Sequence, residues 1–152
     1  MSRIKTVREF VEDKLSDMPK GKRYKALAHL NGVSLAAGII AKKRGEDIEC
    51  ACIAGLLHDM YAYTSGTYDD HARLGAELAG KYLDKLKICT EKEKEMIMSA
   101  IRNHDDKQNV DSPFDEVLKD ADVVHHTMAD PSKPVKEKEQ ARYEALQKEF
   151  GF

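Results

Sequence analysis

Long apolar runs are absent from this sequence: no segment approaches the roughly 18 to 20 residues that a bilayer-crossing helix requires. The N-terminal stretch MSRIKTVREFVEDKLSDM breaks its apolar positions with charge throughout, unlike an export signal. A soluble, unexported, cytoplasmic chain without a membrane partner is expected. Cysteine is scarce, with only Cys50, Cys52 and Cys89, an odd number without framework spacing, so a disulfide scaffold is excluded and core thiols are expected. An excess of positive charge is missing too. Lysine and arginine total 25 against 27 acidic residues, a net charge of −2. That balance disfavours a partner with a long phosphate backbone and leaves small anions open. Internal repeats, low-complexity segments, nucleophile elbows and phosphate-cradling glycine loops are not found.

Period-two alternation is nearly absent as well, which removes strands and leaves periodicity near 3.6 almost everywhere. The expectation is an all-α fold: one compact bundle of about six to seven helices spanning residues 1–152, a length and 41% hydrophobic content that suit one core. Ile4, Val7, Phe10, Val11, Leu15 and Met18 mark a first helix over 4–18, closed by Pro19 and Gly21. A second runs from about Tyr24 to Arg44, with Gly45 as its C-terminal stop. Asp47 is placed to cap a third, IECACIAGLLHDM, apolar around most of its circumference and therefore central. The stretch YAYTSGTYD reads as a connector, after which Asp70 can cap HARLGAELAGKYLDKL. Gly75 and Gly80 inside that helix point to close packing. Thr90 and Glu93 spell a capping box for a fifth helix ending near His104, and Ser112-Pro113 opens a sixth containing Asp122. After the break ADPSKP, a charged helix over 135–150 offers only Tyr143, Leu146 and Phe150 as an apolar stripe, which suits packing on the outside.

Four of the six histidines, His29, His58, His71 and His104, fall on four different helices or helix ends, with Asp59 beside one and Asp122 on a fifth helix. Imidazole with carboxylate favours Zn, Mn, Fe, Co or Ni over Ca or Mg, and bundles build such sites from inward side chains. Any one of these residues alone would ordinarily be a cap or a solvated group. The His58-Asp59 pair resists that assignment, because it ends an apolar run where an unpartnered charge costs several kcal/mol. Asp122 likewise interrupts a buried face set by Val117, Leu118, Ala121 and Val124; its alternative is a structural hydrogen bond to a helix end.

With these residues assembled, the chain resembles the HD-domain superfamily of metal-dependent phosphohydrolases. The pattern is His29, the doublet His58-Asp59 and Asp122, and AGLLHDM, HARLGAELA, MSAIRNHD and VLKDADVV are similar to the corresponding family segments, covering about residues 24–130. His71 and His104 match the two further histidines of dinuclear members. The resemblance implies two divalent transition-metal ions: His29, His58 and Asp122 on the first, His71 and His104 on the second, Asp59 bridging, with Asp59 and His58 as the catalytic pair. It further implies hydrolysis of a phosphoester or phosphoanhydride in a small phosphorylated compound, such as a nucleotide, through a metal-bound hydroxide. In mononuclear members the equivalents of His71 and His104 contact substrate phosphate instead.

Candidate substrate contacts are Arg73, Arg102, Lys107 and Tyr61, with Tyr63 and Tyr68 as further ring or hydroxyl contacts and Gly66 permitting loop movement. His125 and His126 follow Asp122 by three and four residues and are left outside the metal shell, as supporting partners of Asp122, as substrate contacts, or as surface or core residues. One departure stands out: Ala62 occupies the position where many family members carry a lysine. The bacterial enzymes that split dinucleoside tetraphosphates symmetrically share the size and motif order and are the nearest named branch. The same ligand pattern also serves mixed-valent di-iron oxygenases, and a non-catalytic metal-binding sensor is a third reading. Oligomeric state is left open, a homodimer included.

Overall fold

A computed structural model describes residues 2–152. Among these residues the chain forms eight α-helices and one 3-10 turn: α1 (Arg3–Lys14), α2 (Lys20–Arg44), α3 (Ile48–Leu57), α4 (Met60–Ser65), α5 (His71–Leu86), α6 (Glu91–Asn103), α7 (Pro113–Met128), the 3-10 turn (Glu137–Glu139) and α8 (Gln140–Phe150). No strand occurs among them, as the missing period-two alternation implied. No helix of the described residues is long and apolar enough to cross a membrane.

The apolar helix α3 lies at the centre, packed by α1, α2, α6 and α7. Cys50, Ala51 and Ile53 to Leu57 are all buried, so its polar groups are confined to its ends. That confinement puts His58 and Asp59 at the end of the helix, both still buried. Gly55 permits the close approach of α2: a Cβ there would lie 2.6 Å from Ser34 Cα and 2.7 Å from Ser34 N. Every α-helix contributes to one contiguous apolar cluster, α4 through Met60 and α8 through Leu146.

The caps follow the local sequence. Asp47 accepts from Cys50 N, Thr90 and Glu93 complete their box, Ser112 accepts from Asp115 N, and Gly45 ends α2 at φ 75°. Asp70 is a correction: it stands at the start of α5 with φ 53° and no capping bond, because its carboxylate takes Arg73 instead. Boundaries differ elsewhere too. α1 stops at Lys14, where Ser16 Oγ turns back to Asp13 O, although Leu15 remains buried. α2 begins at Lys20, directly behind Pro19. The expected connector after the doublet contains α4, which adds a helix to the six or seven anticipated; burial of Met60 and Ala62 stabilises it and Gly66, at φ 79°, ends it.

The last helix is shorter than the expected 135–150. It begins at Gln140 and is held by charge more than by apolar contact. Arg44 donates to Asp120 and Glu149, while Arg142 reaches Glu116, Asp120 and the carbonyls of Lys107 and Asn109. These bonds hold α8 to α2, to α7 and to the loop after α6.

Candidate metal centre

Three of the histidines are oriented by the same local device. His58 follows the last residue of α3, His104 follows the last of α6, and His71 opens α5. Each places Nδ1 on the carbonyl three residues back: Gly55 at 2.7 Å, Ile101 at 2.6 Å and Tyr68 at 3.0 Å. A carbonyl can only accept, so Nδ1 carries a proton and Nε2 is the nitrogen left to face the centre, as a lone pair for a metal or with a second proton when none is bound. His29, within α2, sets Nδ1 2.8 Å from His125 Nδ1 and also turns Nε2 inward.

These Nε2 atoms converge on two carboxylates. His29 Nε2 lies 3.2 Å from Asp59 Oδ2 and 3.3 Å from Asp122 Oδ1. His58 Nε2 lies 3.3 Å and 3.6 Å from the same two oxygens. On the opposite side, His71 and His104 bring Nε2 to 3.5 Å and 3.3 Å from Asp59 Oδ1. Asp59 thus presents one oxygen to each pair of imidazoles.

Asp59 Oδ1 and Asp122 Oδ1 are buried and accept no hydrogen bond of normal geometry. His29 Nε2 faces His58 Nε2 at 3.1 Å, and two inward nitrogen lone pairs repel unless a proton or cation lies between them. Burial opposes charge on His58, yet Asp59 and Asp122 outweigh it and push its pKa up to about 10. Burial likewise opposes ionisation of both carboxyls. His58, His104 and His29 nevertheless hold Asp59 well below the usual carboxylate range, as Lys107, His29 and His58 do for Asp122. The centre calls for positive charge, and its His/Asp groups, with ligand atoms within 4.8 Å of one another, are able to hold divalent metal.

A cavity of about 460 Å³ opens over this cluster. Tyr63, Tyr68, Asp105, Lys136, Lys138 and Glu139 complete its walls. All six sequence-nominated ligand residues come together, five of them lining the cavity and His58 fully buried against them, but the nominated substrate contacts do not join them. Arg73 is half-exposed and paired with Asp70 and Glu77, and Arg102 lies in a separate depression beside Lys94 and Glu95. Tyr61 is not part of the cavity wall, whereas Tyr63 and Tyr68 are. Lys107 reaches the cavity, but its ammonium is taken by Asp122 Oδ2 and the His104 carbonyl. The sequence reading missed Lys136, Lys138 and Glu139. Their signal was the run KEKE after ADPSKP, which periodicity alone assigns to an outer helix.

Residues 26–127 match the family described as HD domain. Ribonuclease Y of Enterococcus faecalis (strain ATCC 700802 / V583) is 33% identical over 99 residues, 64% of this chain and 17% of that protein. Ribonuclease Y 1 of Pediococcus pentosaceus is 41% identical over 81 residues, 53% of this chain and 14% of that protein. The chain therefore spans less than a fifth of the length of either relative. Among solved structures, a predicted HD superfamily hydrolase from an uncultured Thermotogales bacterium aligns with a TM-score of 0.64 over 95% of this chain and 87% of that one. At 22% identity, that likeness establishes the fold.

Proposed function

Because the chain belongs to the HD domain family, we propose that it is a metal-dependent phosphohydrolase whose Asp59 serves two divalent ions. His29, His58 and Asp122 would hold the first ion, His71 and His104 the second, and Asp59 would serve both. The observation that carries this reading is the division of Asp59 itself, Oδ2 toward His29 and His58, Oδ1 toward His71 and His104. When bound, a pair of transition-metal ions supplies a water of lowered pKa and neutralises charge on the phosphoryl oxygens.

The protein's own groups do the rest. The backbone carbonyls of Gly55, Ile101 and Tyr68 fix three rings, so the ligand atoms are oriented before any ion arrives. Lys136 and Lys138 at the cavity wall attract and orient an anionic substrate, a task Arg73 and Arg102 are badly placed to perform. Tyr63 and Tyr68 in the same lining offer ring faces and hydroxyls. The cavity volume suits a small phosphorylated compound, such as a nucleotide, or the end of a longer one. The ribonuclease name of the relatives makes a short RNA the second substrate to try.

The deciding experiment combines elemental analysis of the purified chain with anaerobic and aerobic assays on mononucleotides, dinucleoside polyphosphates and short RNA. Bound transition metal and oxygen-independent phosphate release are expected. A chain that neither retains nor takes up transition metal would sink the reading, and turnover that requires oxygen would transfer it to the di-iron oxygenases.

A further inference from the structure

We infer that His126 is an additional ligand of the first ion, and that the buried carboxylate of Glu139 sets its ring for that role. The inference deepens the reading above and rests on it.

His126 is presented like the other inward imidazoles. Its Nε2 lies 3.4 Å from Asp122 Oδ1, inside the 3.2 to 3.6 Å span over which His29 and His58 face the carboxylates. Its position four residues after Asp122 keeps both on one face of α7. The ring stacks on His29 with centroids 5.3 Å apart and planes 7° apart, so the two imidazoles enter the centre side by side. Asp122 Oδ1, the oxygen they share, accepts no hydrogen bond of normal geometry.

Glu139 supplies what the backbone carbonyls supply elsewhere. His126 Nδ1 lies 3.1 Å from Glu139 Oε1 and 3.0 Å from Oε2. An ionised carboxylate only accepts, so the Nδ1 proton is donated to it and Nε2 faces the centre as a lone pair. Glu139 has no exposed surface, and among the described residues its side chain hydrogen-bonds to His126 alone. Complete burial of an acid is costly without a partner, and a ligating imidazole is the partner that carboxylates orient in metal sites. Simple surface pairing would leave the acid in water. Here the carboxylate of Glu139, delivered by the 3-10 turn, is buried, and the half-buried ring of His126 lines the cavity beside it.

The test uses full-length protein with histidine labelled in nitrogen-15, titrated with zinc, alongside cobalt-loaded wild type and the variants His126→Ala, His126→Gln and Glu139→Gln. On zinc addition the Nε2 resonance of His126 is expected to move together with those of His29 and His58. The visible cobalt bands should change in both His126 variants, and chelator should strip the first ion on the order of 10- to 100-fold more readily. Glu139→Gln should move the same readouts in the same direction by less. Wild type that binds two ions while the His126 resonance and the cobalt spectra of its variants stay unchanged overturns this inference alone. Wild type that binds no metal overturns the proposed function, and the inference with it. Should the variants not fold, the zinc titration of wild type decides.

Discussion

Lys107 and Asp122 form a buried ion pair, Nζ to Oδ2 at 2.9 Å, at the edge of the candidate metal centre. The pair divides the carboxylate: Oδ2 is neutralised by the ammonium, and Oδ1 is left to the imidazoles of His29, His58 and His126. Removing one partner of such a pair leaves an uncompensated buried charge. Lys107→Ala is therefore expected to cost about 3–5 kcal/mol in the metal-free protein, read from urea unfolding. Saturating metal should recover part of the loss, since a nearby cation replaces the missing one. Equal stability of variant and wild type without metal would mean that the pair is not closed in solution.

The division of Asp59 between two sets of imidazoles predicts unequal consequences along the ligand set. His71→Ala or His104→Ala should lower the metal-to-protein ratio from about two to about one, whereas Asp59→Ala should lose both metal and activity. Elemental analysis after gel filtration checks this. A His71→Ala protein that keeps the wild-type ratio would remove that residue from the shell and return it to the role of substrate contact.

Gly55 is where the packing of α2 on α3 fixes the height of His58. A methyl group there meets Ser34 backbone atoms rather than the end of a flexible side chain. Gly55→Ala is expected to destabilise by about 1–3 kcal/mol through overpacking, seen as a lower denaturation midpoint. It should also weaken metal binding, because His58 Nδ1 bonds to the carbonyl of the same residue. A variant with unchanged midpoint and metal content would show that α2 can retreat at no cost.

Charge reversal at the cavity wall separates binding from chemistry. Lys136→Glu with Lys138→Glu should raise KM for a phosphorylated substrate about tenfold or more, the value of charge-assisted contacts, with metal content unchanged. Steady-state kinetics on whichever compound the panel selects gives the answer. An unaltered KM would locate the phosphate elsewhere.

Acid should loosen α8 before the core. Burial raises the pKa of Glu116, but Arg142, the Asp111 N–H and Lys119 outweigh it and leave the group lowered. Arg44 lowers Glu149. A carboxyl with a depressed folded pKa contributes stability that is full above its unfolded value, about 4.5, and lost as pH falls through the folded value. Hydrogen exchange between pH 6 and pH 3 should thus show α8 amides losing protection ahead of those of α3. Loss of both together would make the ion pairs incidental to docking.

Much of this molecule was legible along the chain. Helical periodicity, the stops at Gly45 and the caps at Asp47, Thr90 and Ser112 depend on neighbours within a few residues, and all reappear in the structure. The clustering of His29, His58, Asp59, His71, His104 and Asp122 was also anticipated: apolar flanks singled out His58, Asp59 and Asp122, and the family resemblance supplied His29, His71 and His104. The substrate side was not legible. Arg73 and Arg102 sit near ligand residues in sequence, but on a helix a two-residue offset turns a side chain to another face, and they point away from the cavity. Lys107 reads as a loop cation until Asp122 is found beside it.

What the sequence by itself determined is the helical class and the caps at Asp47, Thr90 and Ser112, which follow from local backbone chemistry, and, through the cost of burying charge together with the family resemblance, the set of metal-capable residues. What only the tertiary structure decided is which further side chains join those residues: Lys107 pairs with Asp122, His126 faces the same carboxylate, and Glu139 meets His126. Contacts within this centre's own shell join residues as far apart as His29 and Asp122, 93 positions along the chain. No local periodicity encodes that contact; it exists because helices packing around α3 bring their ends to the same place.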